Sequence, residues 1–158
     1  MKKNWKNLIV CILIPLAVGS IAGLLTMGGM EEFATLNKPP LSPPAWLFPV
    51  VWTILYILMG ISSYLIYTSE EPKESNLKSQ ALSTYGYQLL VNFLWPVFFF
   101  DFRWYFFSFL WLVFLWILVA KMILEFGKIS SFAAFFNVPY LLWLSFAGYL
   151  NLGIWLLN

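Results

Sequence analysis

The sequence contains no histidine and only one cysteine, Cys11, among its 158 residues. The lack of histidine excludes His-based metal sites and His-dependent catalytic triads, and one cysteine cannot form an internal disulfide. Cys11 is most simply a small packing residue in the first apolar stretch. The sequence therefore predicts no metal site, no catalytic residues and no bound cofactor.

Charged residues are also scarce. They make up 10% of the chain, against 61% hydrophobic residues, whereas soluble domains average about 25% charged residues. The 16 Phe, 9 Trp and 8 Tyr exceed what the core of a protein this small could bury. The net charge of +2 comes from scattered lysines without a basic stripe, so nucleic acid is not an expected partner. These features predict a protein whose surface faces lipid.

The few charged residues divide the chain into five uncharged stretches. Each stretch has at least the roughly 17 residues that a helix needs to cross a bilayer. A membrane β-barrel would instead show short segments of alternating polarity, and here whole runs are apolar. The expected fold is an all-α integral membrane protein, a single domain built as a five-transmembrane-helix bundle. Its expected spans are 7–29, 45–68, 80–100, 103–124 and 129–155.

The lysine and arginine positions indicate the orientation of this bundle. The N-terminus, the 70–78 segment and the 121–128 turn would share one side, and that side carries Lys2, Lys3, Lys6, Lys73, Lys78, Lys121 and Lys128. The other side carries Lys38 and Arg103. The positive-inside rule therefore predicts a cytoplasmic N-terminus and an outer C-terminus. A cleaved signal peptide is a weaker interpretation of the first stretch, because its apolar run continues to Gly29.

Polar and aromatic residues recur at helical spacing on three of the expected spans. In a membrane helix such positions usually face protein or a cavity. The three stripes are Trp52, Tyr56, Met59 and Ser63; Tyr85, Gln88, Asn92 and Trp95; and Tyr140, Trp143, Ala147 and Asn151. They fit ordinary hydrogen bonding between helices, and they fit equally a ligand pocket with aromatic walls and a few orienting polar groups.

Two further motifs lie near the outer side. Gly19 and Gly23, four residues apart, form a small-residue ridge that suits either a dimer seam or packing within the bundle. The segment from Lys38 to Trp46 contains four prolines and cannot form a regular helix, because proline lacks an amide proton. It is expected to form a stiff loop over the outer mouth.

Four sets of motifs follow one another along the chain. They are Leu36-Asn-Lys-Pro-Pro-Leu-Ser-Pro-Pro-Ala-Trp46, Pro49-Val-Val-Trp-Thr-Ile-Leu-Tyr56 with Met59-Gly60, Gln88-Leu-Leu-Val-Asn92 with Trp95-Pro96, and Pro139-Tyr-Leu-Leu-Trp143 with Leu150-Asn151. In this order they resemble the TspO/MBR family, the tryptophan-rich sensory or translocator proteins. The resemblance covers nearly the whole chain. It implies a five-helix membrane protein that binds tetrapyrroles such as protoporphyrin IX, often as a homodimer.

The resemblance also implies a set of pocket residues. These are Trp52, Tyr56, Asn92, Trp95, Trp143, Ala147 and Asn151; Gln88 is added from helix geometry alone. At a position where many relatives carry a Trp-Tyr pair, this chain has Glu32-Phe33. The contacts of this pair with the proline-rich loop, which would act as a lid, are therefore left open. No Lys or Arg follows Tyr149, so the proposed cholesterol-recognition pattern is absent. The expected setting is a bacterial cytoplasmic membrane.

These observations favour a membrane receptor or carrier for porphyrins or similar hydrophobic ligands, with a sensory, regulatory or transport role. The alternative is a light- and oxygen-dependent porphyrin-degrading enzyme that uses Trp52 and Trp143. An ion-coupled transporter would place an ionisable residue near the membrane centre, and the sequence has none there. A purely structural partner would leave the three stripes without a role.

Overall fold

The computed structural model describes residues 4–70 and 76–158, and every regular element in these ranges is helical. Lys2, Lys3 and Lys73, on which part of the orientation argument rests, lie outside the described residues. The helices are α1 (Trp5–Leu25), α2 (Met27–Phe33), α3 (Leu47–Tyr67), α4 (Leu77–Pro96), α5 (Tyr105–Gly127), α6 (Ser131–Phe136) and α7 (Val138–Leu157). A π-helical turn, Val97–Asp101, follows α4. The all-α prediction is confirmed.

Four segments of the described chain are long and apolar enough to cross a membrane. They are Trp5–Leu25, Leu47–Tyr67, Tyr105–Gly127 and, with α6 and α7 taken together, Ser131–Leu157. The remaining long helix, α4, has 20 residues but is less apolar, since it carries Lys78, Gln80, Gln88 and Asn92. The predicted count of five spans is therefore not confirmed by length and composition.

Two breaks divide helices that the sequence analysis expected to be continuous. α1 ends before Thr26, whose hydroxyl donates to the Ala22 carbonyl at 2.9 Å, a back-bond that often bends helices. The short α2 then covers the end of the expected span 7–29. The expected span 129–155 is divided at Asn137, directly before α7, because Pro139 lies in the first turn of α7 and donates no amide hydrogen.

Glycines allow α1 and α3 to pack closely. A Cβ atom at Gly60 of α3 would overlap the backbone of Cys11 and Ile12, and one at Gly19 of α1 would overlap the Tyr56 ring. Close backbone approach at small residues is a main source of helix association in membranes. Gly19 thus serves packing within the bundle, whereas no neighbour lies within 4 Å of a Cβ atom placed at Gly23.

The core is formed by side chains from α3, α4, α5, α6 and α7. Its fully buried side chains include Met59, Leu112, Leu115, Val119, Met122, Phe126 and Leu144. At the end of α4, the π-helical turn places Phe99 inside an aromatic cluster with Trp95, Phe33 and Tyr105. These contacts fix the spacing between the helices that carry the polar residues.

The proline loop, residues 34–46, is held against the end of α7. The Tyr149 hydroxyl donates to the Pro40 carbonyl at 2.7 Å, and Pro39 packs on Gly153, where a Cβ atom would overlap its ring. The Asn37 backbone N–H donates to Asn158 Oδ1 at 3.0 Å, and Asn158 Nδ2 donates to the Asn37 backbone carbonyl at 2.9 Å. The loop therefore has a defined position beside α7.

The helix before the proline loop, α2, packs on the π-helical turn that follows α4. Glu32 forms an ion pair with Arg103, and Phe33 contacts the rings of Phe99 and Phe100. The Lys38 ammonium lies 4.9 Å above the Phe33 ring. The Glu32-Phe33 pair, whose contacts were left open above, thus joins α2 to the π-helical turn.

Candidate functional site

Four polar side chains from α3, α4 and α7 form a continuous buried network. The Tyr56 hydroxyl donates to Asn92 Oδ1 at 2.8 Å, and Asn92 Nδ2 donates to the Tyr140 hydroxyl at 2.7 Å. The Tyr140 hydroxyl in turn donates to Gln88 Oε1 at 2.9 Å. We call these four residues the polar network; each of them is buried.

The spacing along each helix explains how the polar network is assembled. Gln88 and Asn92 lie one turn apart on α4 and therefore share a face. Trp52 lies one turn before Tyr56 on α3 and stacks on it, with ring centroids 5.5 Å apart at 28°. Trp52 also meets the Tyr140 ring edge-on at 6.1 Å. An indole face thus lies directly beside the polar network.

A second polar contact joins Trp95 and Asn151. The Trp95 indole nitrogen donates to Asn151 Oδ1 at 3.1 Å, and Asn151 Nδ2 donates to the Tyr105 carbonyl at 2.7 Å. Trp95 also stacks on Phe99, with centroids 5.2 Å apart. This pair links α4, α5 and α7, and it is separate from the hydrogen bonds of the polar network.

The two remaining predicted residues have different surroundings. Ala147 is buried in the apolar core. Trp143 contacts Phe48 and Phe146 and lines an open groove between α3 and α7. The structure therefore brings Trp52, Tyr56, Gln88 and Asn92 together, pairs Trp95 with Asn151, and places Trp143 at the groove.

Two contributors were not among the predicted site residues. Tyr140 connects Asn92 to Gln88, and Met59 receives a weak hydrogen bond from Gln88 Nε2 at 3.9 Å. Both residues lie on the polar aromatic stripes, so their helical spacing was the available signal. A separate buried contact joins Asn137 to α3: Asn137 Nδ2 donates to the Ser62 hydroxyl at 2.6 Å.

This arrangement suits binding better than acid–base chemistry. Its members are hydroxyls, amides and indoles, which stay neutral near pH 7. Within residues 4–70 and 76–158, no group of three or more Cys, Asp or Glu side chains could hold a metal ion. The site can offer a flat aromatic surface with hydrogen-bonding groups at its edge.

Comparison with known proteins identifies the family of this chain. The sequence profile of the TspO/MBR family matches residues 11–156. This chain belongs to the TspO/MBR family. The similarity extends along the whole molecule: the tryptophan-rich protein TspO of Chlorobaculum tepidum is 37% identical, and the alignment covers 100% of this chain and 99% of the relative.

Other TspO/MBR relatives come from distant organisms. Protein CrtK of Rhodobacter capsulatus is 37% identical over 89% of this chain and 85% of its own length. The translocator protein of Bos taurus is 33% identical over 98% of this chain and 92% of its own length. Family membership and the four apolar spans together make this chain an integral membrane protein.

Proposed function

We propose that this TspO/MBR protein is a membrane receptor or carrier for porphyrins, such as protoporphyrin IX, or similar hydrophobic ligands. The ligand would lie within the helix bundle, against Trp52 and the polar network. The observation that carries the proposal is the concentration of neutral hydrogen-bonding groups beside an indole face, inside an otherwise apolar protein. Two relatives' names, translocator protein and tryptophan-rich sensory protein, agree with transport or sensing.

The chemistry of a porphyrin fits these surroundings. Its flat apolar face stacks on an indole, and its ring nitrogens can form hydrogen bonds with hydroxyl and amide groups. Its carboxylates need a cationic or aqueous environment. Lys38 supplies positive charge above the Phe33 ring, whereas the charge of Arg103 is offset by its ion pair with Glu32. The proposed ligand therefore lies with its apolar face inward and its carboxylates toward that end.

The proposed topology has five spans, with α4 as the fifth, and a cytoplasmic N-terminus. The bilayer would be a bacterial cytoplasmic membrane, and a homodimer is the proposed assembly. The polar residues of α4 are compatible with a span, since Gln88 and Asn92 are buried against other helices. Single cysteines introduced into a Cys11→Ser background test the topology. A membrane-impermeant maleimide should label Leu41→Cys, in the outer loop, and spare Ser69→Cys in intact cells.

A titration with protoporphyrin IX in the dark, followed by quenching of tryptophan fluorescence, tests the binding proposal. We expect saturable quenching by the parent protein and at least about tenfold weaker binding by Asn92→Leu, equivalent to about 1.4 kcal/mol. Tyr85→Phe is the matched control, because the buried Tyr85 hydroxyl has no hydrogen-bond partner among the described residues. An unrelated membrane protein controls for partitioning into detergent.

Quenching that never saturates, or that Asn92→Leu leaves unchanged, contradicts the binding proposal. Illumination of the bound complex then separates receptor from enzyme. If the protein is a receptor, the absorbance of the bound porphyrin should fall no faster than that of free porphyrin. Faster loss that Trp52→Phe abolishes would instead favour the light-dependent enzyme.

A further inference from the structure

The Glu32–Arg103 ion pair lies at the end of the bundle that carries the proline loop. Glu32 belongs to α2, and Arg103 lies between the π-helical turn and α5. Both side chains are more than half exposed, so a solute can reach the pair. Because Glu32 offsets the charge of Arg103, a ligand carboxylate has to replace Glu32 in order to form the same ion pair.

A small crevice beside the ion pair connects it to the proposed porphyrin site. Phe99 stacks on Trp95, with ring centroids 5.2 Å apart, and Trp95 follows Asn92 of the polar network by three residues on α4. Phe99 and Arg103 both line the crevice. Its other lining residues are Gly29, Glu32, Phe33, Phe100 and Tyr105. Aromatic rings therefore extend from the polar network to the guanidinium group.

The chemistry of the pair allows one carboxylate to replace another. Arginine stays charged near pH 7 and offers a planar fork of N–H donors that matches carboxylates in general. The attraction within an exposed ion pair is weak, because water and salt screen the two charges. Glu32 can be hydrated when it leaves, so the exchange leaves no charge buried without a partner.

The two partners differ in how firmly the protein holds them. Arg103 lies in a tight turn, with φ of 57°. On either side of it, the Phe102 N–H donates to the Val97 carbonyl and the Trp104 N–H donates to the Phe98 carbonyl, each at 3.0 Å. Glu32, in contrast, lies on a helix of seven residues, none of which is buried. Arg103 is therefore the fixed partner, and the Glu32 side chain can rotate into water.

We propose that Arg103 binds a carboxylate of the porphyrin and that Glu32 occupies this position in the free protein. This inference rests on the proposed porphyrin function, and it identifies the residue that selects ligands with free carboxylates. Binding replaces one carboxylate by another at the guanidinium and releases the Glu32 side chain to water. Glu32 thus competes with the ligand, and an uncharged porphyrin gains nothing from Arg103.

Dark titrations with protoporphyrin IX and with its dimethyl ester test the inference. The quantity compared between variants is the Kd of the ester divided by the Kd of the diacid, because a general loss of folding affects both ligands alike. Glu32→Gln should raise this ratio about two- to fivefold, and Arg103→Gln should lower it about two- to fivefold, the range for an exposed ion pair. Glu31→Gln is the matched control, since it removes the neighbouring charge of α2 without touching the ion pair, and its ratio should stay close to that of the parent.

The opposite signs of the two changes are decisive. Glu32→Gln and Arg103→Gln break the same ion pair, so a purely structural role for the pair predicts that both shift the ratio in one direction or leave it unchanged. Either result overturns the inference, and the porphyrin proposal stands if the parent still binds. A change in Glu31→Gln as large as that in Glu32→Gln also overturns it, because general charge repulsion then explains the effect. A parent protein that binds neither ligand refutes the porphyrin proposal and this inference with it.

Discussion

The hydroxyl of Tyr140 lies 2.7 Å from the side-chain nitrogen of Asn92, from which it accepts a hydrogen bond. This contact joins α7 to α4 in a region without charged groups. Through Asn92, it also connects to Tyr56 on α3. Three helices are therefore held by one set of neutral hydrogen bonds, in surroundings where an unpaired polar group would be costly.

The first prediction concerns the Tyr140 hydroxyl. Tyr140→Phe leaves Asn92 Nδ2 and Gln88 Oε1 without a partner and should lower the free energy of unfolding by about 1–3 kcal/mol. The measurement is unfolding in mixed micelles with increasing denaturing detergent. Tyr85→Phe should change stability little or raise it, since its hydroxyl has no hydrogen-bond partner among the described residues. Equal losses in both variants would argue against a specific role for Tyr140.

The second prediction concerns the α1–α3 contact. Gly60→Ala places a methyl group where the backbone of Cys11 and Ile12 lies, so we expect a loss of about 1–3 kcal/mol from overpacking. Gly86→Ala on α4 meets no neighbour within 4 Å and should gain up to about 1 kcal/mol from helix propensity. The same micelle unfolding assay compares them. A stable Gly60→Ala protein would show that α1 and α3 can separate at little cost.

The third prediction concerns the proline loop. Gly153→Val on α7 would displace Pro39, so backbone amides near Asn37 should exchange with deuterium faster. The matched control is Gly148→Ala, whose added methyl group would make only ordinary contacts of 3.9 Å with Leu112 and Phe109. Hydrogen-exchange mass spectrometry on peptides covering 34–46 measures the difference. Unchanged exchange in Gly153→Val would mean that other contacts suffice to hold the loop.

The fourth prediction concerns backbone strain in the same loop. Leu41 has φ of 66° and an 83% exposed side chain. Left-handed backbone costs a residue with a Cβ atom about 1–2 kcal/mol, and glycine avoids that cost. Leu41→Gly should therefore stabilise the protein by about 1 kcal/mol, whereas Leu41→Ala should not. If both variants behave alike, the exposed leucine side chain matters more than its backbone conformation.

Helical periodicity placed Tyr56, Gln88 and Tyr140 on faces that turn toward other helices, and all three are buried. Gln88 and Asn92 were placed on one face because they are four residues apart, and both are buried. The choice of hydrogen-bond partners could not be predicted in the same way. It depends on how α3, α4 and α7 dock against one another, which no single stripe specifies.

Other features depended on local backbone chemistry. The break at Thr26 coincides with a hydrogen bond from its side chain to the Ala22 carbonyl, which the length of an uncharged stretch cannot reveal.

Periodicity placed Trp143 on the same stripe as Tyr140, yet their surroundings differ. Tyr140 is fully buried in the polar network, whereas Trp143 lines the open groove between α3 and α7. A stripe specifies a face of a helix, and the neighbouring helices decide what each position on that face contacts.

The polar network also has a consequence for how fast a ligand can bind. The hydroxyl and amide groups that a porphyrin would use are already bonded to one another. Some of these bonds must open before an incoming molecule can form its own. The protein's own opening then sets an upper limit on association, and the observed binding rate should level off as the porphyrin concentration rises. Binding at the proposed site would therefore depend on how fast the polar network opens as well as on the shape of the ligand.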